Sequence, residues 1–372
     1  MDVTRSQVHA FRLRRHHLDR PASRADLVAV VRDTCGVQAQ VPSAAALALR
    51  ARVRGLRPED VRRALEEDRS LARGWTVRYA IHLIPAEDFL LYARALAGRV
   101  RRSLGWFARH KASVEEVEAM ILAIADALED GPLTRRGLAD RVVARFGEGA
   151  RRRVEHSWGG LVVDAGLRGL VCFGPDRGNG ITFASRRRWL PDVQEYAEDE
   201  AGAILLRRYL RAFGPATRQD FQRWAEVPMA DVDRMWAVVA EGIVEVRTGG
   251  RAGWACREDL RALRARPSAV PVVRLLPSFD PYLLGHRDKS HLVDAAHYKR
   301  VYRKAGWLSP VVLVGGRCAG VWSYRKAGDR IDLRVQPFGR LSQATRDGIA
   351  AEADDIGRFL GGDVGVQYAK PS

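Results

Sequence analysis

Apolar positions in the first third of the chain recur at helical spacing. Leu27, Val28, Val30 and Val31 mark the inner face of a helix over residues 23–34, and a second apolar run predicts a helix over residues 44–54. Pro58 opens a third, with Val61, Leu65 and Leu71 on its buried side. The period then shortens, and residues 73–84 read as a strand-rich hairpin ending at Pro85. Helices followed by a hairpin predict a winged helix, a variant of helix-turn-helix. Residues 2–20 read as a lead-in arm, apolar at Val8, Phe11 and Leu13 and basic over Arg14-Arg15-His16-His17.

The order of elements then repeats. The apolar run 121–128 leads into Gly131-Pro132-Leu133-Thr134, and the run 204–210 leads into Gly214-Pro215-Ala216-Thr217. In both a Gly-Pro turn precedes a threonine placed to cap the next helix. Each set ends in paired strands, over 170–173 with 181–183 and over 243–246 with 253–256, flanking glycine-rich tips. Three winged helices in tandem are expected.

From Pro271 the character changes to β. Apolar runs at 272–277 and 310–314, and alternating runs at 321–324 and 330–335, predict strands; residues 343–360 predict an amphipathic helix. Between the first two strands lies the turn-rich loop 278–290, with Arg287 and Lys289 at its tip. Loops of this length are disproportionately functional. The expected fold class is α+β, with boundaries at residues 1–110, 111–198, 199–268 and 269–372: an arm plus first winged helix, two further winged helices, and a C-terminal β-rich domain.

Composition adds a partner. The 372 residues carry a net charge of +17, and arginine far outnumbers lysine. An arginine bias explains the choice of cation but not the shortage of acids, so a polyanion is implied, and nucleic acid is the commonest. The cysteines Cys35, Cys172, Cys256 and Cys318 are widely spaced and read as free thiols in a reducing compartment. No run approaches the ~18 apolar residues of a membrane span. The chain reads as a cytosolic bacterial protein with no cofactor or metal, lacking a phosphate-cradling Gly-x-x-x-x-Gly-Lys, a nucleophile elbow and His-Glu-x-x-His.

The stretch Cys35-Gly36-Val37-Gln38-Ala39-Gln40-Val41-Pro42 carries candidate chemistry. Gly36 suits the C′ position of the preceding helix, and Ser43 can cap a helix starting at Ala44. Extended backbone between them would project Gln38 and Gln40 from one face. Each carboxamide offers an acceptor and a double donor, although a Gln-x-Gln triplet alone is a weak motif that also fits a polar interhelix loop.

Gln38-Ala39-Gln40, Arg73-Gly74-Trp75-Thr76-Val77-Arg78, Ile81-His82-Leu83-Ile84-Pro85, Ser278-Phe279-Asp280-Pro281-Tyr282 and His297-Tyr298-Lys299-Arg300 together resemble the AlkZ/YcaQ-type winged-helix DNA glycosylases, over residues 27–359. The Gln-x-Gln form resembles the AlkZ branch of antibiotic-producing actinobacteria; the YcaQ branch carries Gln-x-Asp. The resemblance implies a monofunctional glycosylase that excises N7-alkylguanine and unhooks interstrand crosslinks, as self-resistance to an alkylating natural product. It also implies tandem winged helices in a C-shaped arrangement around DNA, acting as a monomer, with Gln38 and Gln40 orienting the water. An open groove is expected, because a base tethered to the other strand is hard to flip into a tight pocket.

Further DNA contacts are expected from Arg73, Arg78 and His82 on the first wing, Arg135 and Arg136 at a helix start, and Arg287 and Lys289 in the long loop. Trp75 reads as core. The competing reading is a winged-helix regulator that binds DNA without chemistry.

Overall fold

Thr4 opens the first helix with a reciprocal cap: its hydroxyl accepts from Gln7 N–H at 3.2 Å, and Gln7 Oε1 accepts from Thr4 N–H at 2.9 Å. The segment expected as an arm is therefore the helix Arg5–Arg15. Its Val8 and Phe11 pack against Val246, Ala255 and Leu263, which supplies the burial an arm would lack. The structure, a computed structural model, describes residues 1–101, 113–156, 160–176, 178, 180–191 and 193–370. The expected boundary at 110/111 lies outside the described residues.

The chain divides into two compact units, each made of separated segments: residues 1–61, 207–224 and 239–372, and residues 62–206 and 225–238. Along the chain, helices lead into an antiparallel hairpin three times. Leu27–Asp33, Pro42–Arg50 and Pro58–Glu66 precede the hairpin Leu71–Trp75/Ile81–Pro85. Val114–Ala127, Arg135–Phe146 and Leu161–Leu167 precede Val171–Phe173/Thr182–Ser185. Glu198–Phe213, Arg218–Ala225 and Met229–Val239 precede Ile243–Thr248/Arg251–Cys256. Leu71 belongs to a strand and not to the third helix.

The repeat read from the sequence holds in its hydrogen bonds. Thr134 Oγ1 accepts from Gly137 N–H at 3.2 Å, and Thr217 Oγ1 accepts from Asp220 N–H at 3.1 Å. The residue before each threonine joins the last strand of its own hairpin: Leu133 pairs with Phe183, and Ala216 bridges Trp254.

In the unit holding both termini, Asp2–Val3 lies parallel to Ile243–Thr248 and extends that hairpin to three strands. A five-stranded sheet follows in chain order: Val273–Leu276, Val311–Val314, Arg317–Ala327, Arg330–Pro337 and Asp363–Tyr368. The first three pairings are antiparallel and the last is parallel, reached through the helix Gln343–Leu360. That helix buries Ile349, Ala353 and Ile356, and a Cβ at Gly348 would stand 2.8 Å from the Val273 side chain, so glycine permits the close approach. The strand Asp363–Tyr368 was not expected: Asp363, Gly365 and Gln367 break its β pattern at alternate positions, and its partner is distant in sequence.

In the other unit, Trp75 packs in the core with Phe173 at 4.5 Å and Phe183 at 5.8 Å between ring centroids, and lies tight against Gly166. Core packing thus accounts for Trp75. Among the described residues no helix is long and apolar enough to cross a membrane.

Candidate active site and nucleic-acid interface

The glutamine loop begins at an abrupt helix stop. Thr34 caps the helix Leu27–Asp33; Cys35 N–H donates to Arg32 O at 3.0 Å and Gly36 N–H to Val31 O at 2.9 Å. These are the two bonds of a Schellman motif. The left-handed C′ position falls on Cys35, with φ 56°, one residue earlier than the sequence predicted, and Gly36, with φ 89°, follows it as C″. The next helix also starts earlier than expected. Pro42 occupies its first turn after the extended Val41, and no side chain caps it, so Ser43 lies inside the helix.

Between these stops the strand Val37–Gln38 is only two residues long. Val37, Gln38 and Ala39 are all buried, so the simple in–out alternation is interrupted; Gln40 is half-buried. Gln40 Oε1 is buried, and among the described residues nothing donates a hydrogen bond to it. A buried acceptor left unmet costs roughly 1–3 kcal/mol, and Gln40 keeps this one available two residues from a buried second carboxamide.

The first-wing candidates lie on the hairpin Leu71–Trp75/Ile81–Pro85. His82 is buried; its Nε2 accepts from Arg78 Nη2 at 3.2 Å, which places the proton on Nδ1, facing Ala80 O at 3.0 Å. Burial, then Arg78, pushes its pKa down to about 3, so the ring is neutral. Arg78 and Tyr79 both take left-handed backbone, φ 59° and 52°, in the turn. Arg73 is gripped by Asp176, at 2.6 Å, and lies over the Phe173 ring.

Arg135 and Arg136 divide at the start of their helix. Arg135 turns inward, donating to Val154 O at 3.0 Å and lying over Phe183, whereas Arg136 is exposed. Arg151 and Arg188 pair with local carboxylates. In the long loop, Arg287 is exposed while its backbone N–H donates to Asp220 Oδ1 at 2.8 Å. Lys289 points back: its ammonium donates to Leu283 O at 2.9 Å and lies over the Tyr302 ring.

The sequence did not single out Arg12, His9, His286 and His291, which share one cleft. His9 and Arg12 stand three apart on one helix face, but their neighbours lie in the C-terminal half, His286 inside the long loop and His291 just past it, at no spacing that links them to the helix. Among the described residues one potential metal grouping occurs, Cys256, Glu258 and Asp259. Asp259 is paired with Arg15 and Glu258 with Arg211, and burial pushes the Cys256 thiol up to about 11; ion pairing accounts for the group.

A family model described as DNA glycosylase AlkZ-like matches residues 31–359, and the chain belongs to that family. Among individual proteins it is similar to the interstrand DNA cross-link repair glycosylase of Streptomyces sahachiroi, with 32% identity over 97% of this chain and 98% of the relative. The solved structure of the S. sahachiroi DNA glycosylase AlkZ superposes with a TM-score of 0.88 at 30% identity, covering 99% of this chain and 100% of that one.

Proposed function

We propose that this glycosylase hydrolyses the N-glycosidic bond of N7-alkylguanine in duplex DNA, interstrand crosslinks included, with Gln38 and Gln40 positioning the water. The observation that carries the reading is the buried, unmet acceptor of Gln40 beside the buried Gln38. The similarity to a cross-link repair glycosylase supports the wider substrate class.

A carboxamide is too weak a base to deprotonate water for cleavage of an ordinary nucleobase. N7-alkylguanine asks for less. It is already cationic, so the N9–C1′ bond breaks with its electron pair moving into the ring, and a neutral base departs. The water oxygen then bonds to the oxocarbenium-like C1′, and its proton passes to solvent. What the protein supplies is orientation and a dipole facing the developing positive sugar. A neutral carboxamide does this without the desolvation cost of a carboxylate.

The three helix-and-hairpin sets support reading the chain as tandem winged helices that hold DNA, with Arg136 and Arg287 the most exposed of the candidate phosphate contacts. We assign the physiological role to self-resistance against a DNA-alkylating natural product, and the working form to a monomer.

The test is incubation with an end-labelled duplex carrying N7-methylguanine, then with a crosslinked duplex, followed by alkaline cleavage at abasic sites. Alkali-sensitive breaks made by the wild type and lost in Gln38→Ala/Gln40→Ala support the reading. Tight DNA binding with no breaks on either substrate would overturn it in favour of a regulator.

A further inference from the structure

The helix Arg5–Arg15, residues 215–220, the hairpin Ile243–Thr248/Arg251–Cys256 and loop residues 286–291 enclose a cleft of about 440 Å³. All of its lining belongs to the unit holding both termini, and neither Gln38 nor Gln40 is part of it.

Arg12 lines the cleft at only 6% exposure. Its Nε donates to Gly214 O at 3.2 Å and its Nη2 to Pro215 O at 2.9 Å; among the described residues no carboxylate pairs with it. A guanidinium has five N–H groups, so donors remain, and a buried charge without a counter-ion is costly. Arg5, Arg251 and Arg287 add positive charge. The two carboxylates nearby are engaged: Asp220 with Thr217 and the Arg287 backbone, Asp288 with Arg251 and Ser290.

Part of the wall is imidazole, from His9, His286 and His291. His286 and His291 meet edge to face at 4.7 Å between centroids, and His9 stacks on His291 at 6.3 Å. His286 is 7% exposed and lines the cleft; among the described residues its ring nitrogens meet no partner at full hydrogen-bond geometry, and the Phe213 carbonyl lies near them. Burial and the Arg12 charge push all three pKa values down, to about 4 for His9 and about 2 for His291, while the Phe213 carbonyl opposes the shift slightly at His286. Neutral imidazoles offer one donor and one acceptor each, together with flat faces.

A buried cation with no carboxylate partner among the described residues calls for an anion, and the flat faces of neutral heteroaromatic rings call for a base. The volume exceeds the needs of a lone phosphate and falls within the roughly 300–1,000 Å³ of small-ligand sites. We propose that this cleft binds one nucleotide of a DNA strand, its phosphate against Arg12, Arg251 and Arg287 and its base against His9, His286 and His291. The proposal rests on the protein's action on DNA and not on the glutamine chemistry.

The test uses the full chain and no lesion, so its outcome is independent of excision. Binding of the trinucleotide d(TpTpT), of dTMP and of inorganic phosphate is measured by calorimetry for the wild type, Arg12→Gln and Ala252→Glu. Ala252 is exposed and lines the cleft, so its glutamate adds repulsion without disturbing the core. The expected result is trinucleotide binding that weakens about tenfold or more in both variants, with the melting temperature unchanged in Ala252→Glu. Trinucleotide affinity indifferent to Ala252→Glu would overturn the proposal. So would dTMP binding as tightly as the trinucleotide, which marks a free-nucleotide site, or binding of inorganic phosphate alone.

Discussion

Arg52 and Asp280 form a two-pronged ion pair in which neither side chain reaches solvent: Nη1 donates to Oδ2 at 2.8 Å and Nη2 to Oδ1 at 2.7 Å. Arg52 stands two residues past the helix Pro42–Arg50 that leaves the glutamine loop. Asp280 also accepts from Tyr282 N–H at 3.0 Å, opening the turn Pro281–Leu283 in the loop that carries Arg287. One buried pair thus ties the glutamine segment to that loop.

Removing one partner strands the other. Arg52→Ala leaves the Asp280 carboxylate buried without a counter-charge, which costs about 3–5 kcal/mol. A fall in melting temperature on the order of 10 °C is expected. Arg52→Met with Asp280→Leu should regain more than half of the loss; a double variant no more stable than Arg52→Ala would show that the pair is not the source.

At the glutamine loop, Gln40→Ala should lower single-turnover excision of N7-methylguanine by about a hundredfold or more, the usual effect of losing a group that stabilises only the transition state. Its binding to undamaged duplex should be unchanged. A loss confined to substrate affinity would place Gln40 in binding and not in chemistry.

Acid should weaken the fold early. His9, His82 and His291 have pKa values pushed down to about 4, 3 and 2, and those of His16 and His286 lie well below the ordinary 6.5, in each case chiefly through burial. The unfolded chain takes up these protons near pH 6.5 while the fold refuses them. Stability is therefore undiminished above about pH 6.5 and falls as the pH drops from there towards about 4. Melting curves across that window should show the decline, and a flat profile down to about pH 4 would contradict it.

The two cations of the long loop should behave differently. Arg287→Ala should reduce the salt dependence of DNA affinity by about one phosphate contact. Lys289→Ala should instead lower stability, because its ammonium serves Leu283 O and Tyr302. The same contrast is expected of Arg136→Ala and Arg135→Ala. Equal salt slopes for Arg287→Ala and the wild type would remove Arg287 from the interface.

Local pattern settled much of this protein. The amphipathic helix Gln343–Leu360 was legible to its ends, because its apolar spacing and the Ser342 cap act within a few residues. The repeated Gly-Pro-x-Thr turns likewise announced the second and third helix-and-hairpin sets, and the Gln38-Ala39-Gln40 triplet stood out with its family. Tertiary contacts decided what local rules leave open. The first residues became a helix and a strand because Phe11 and Asp2–Val3 found partners near residue 250. Lys289 and Arg287, alike in sequence, face opposite ways because a carbonyl and an aromatic ring happen to lie under one of them. Arg12 and its three histidines meet only once the far ends of the chain are folded together. Charge is written in the sequence, but whether a charge is buried, paired or free depends on neighbours that the chain brings from far away.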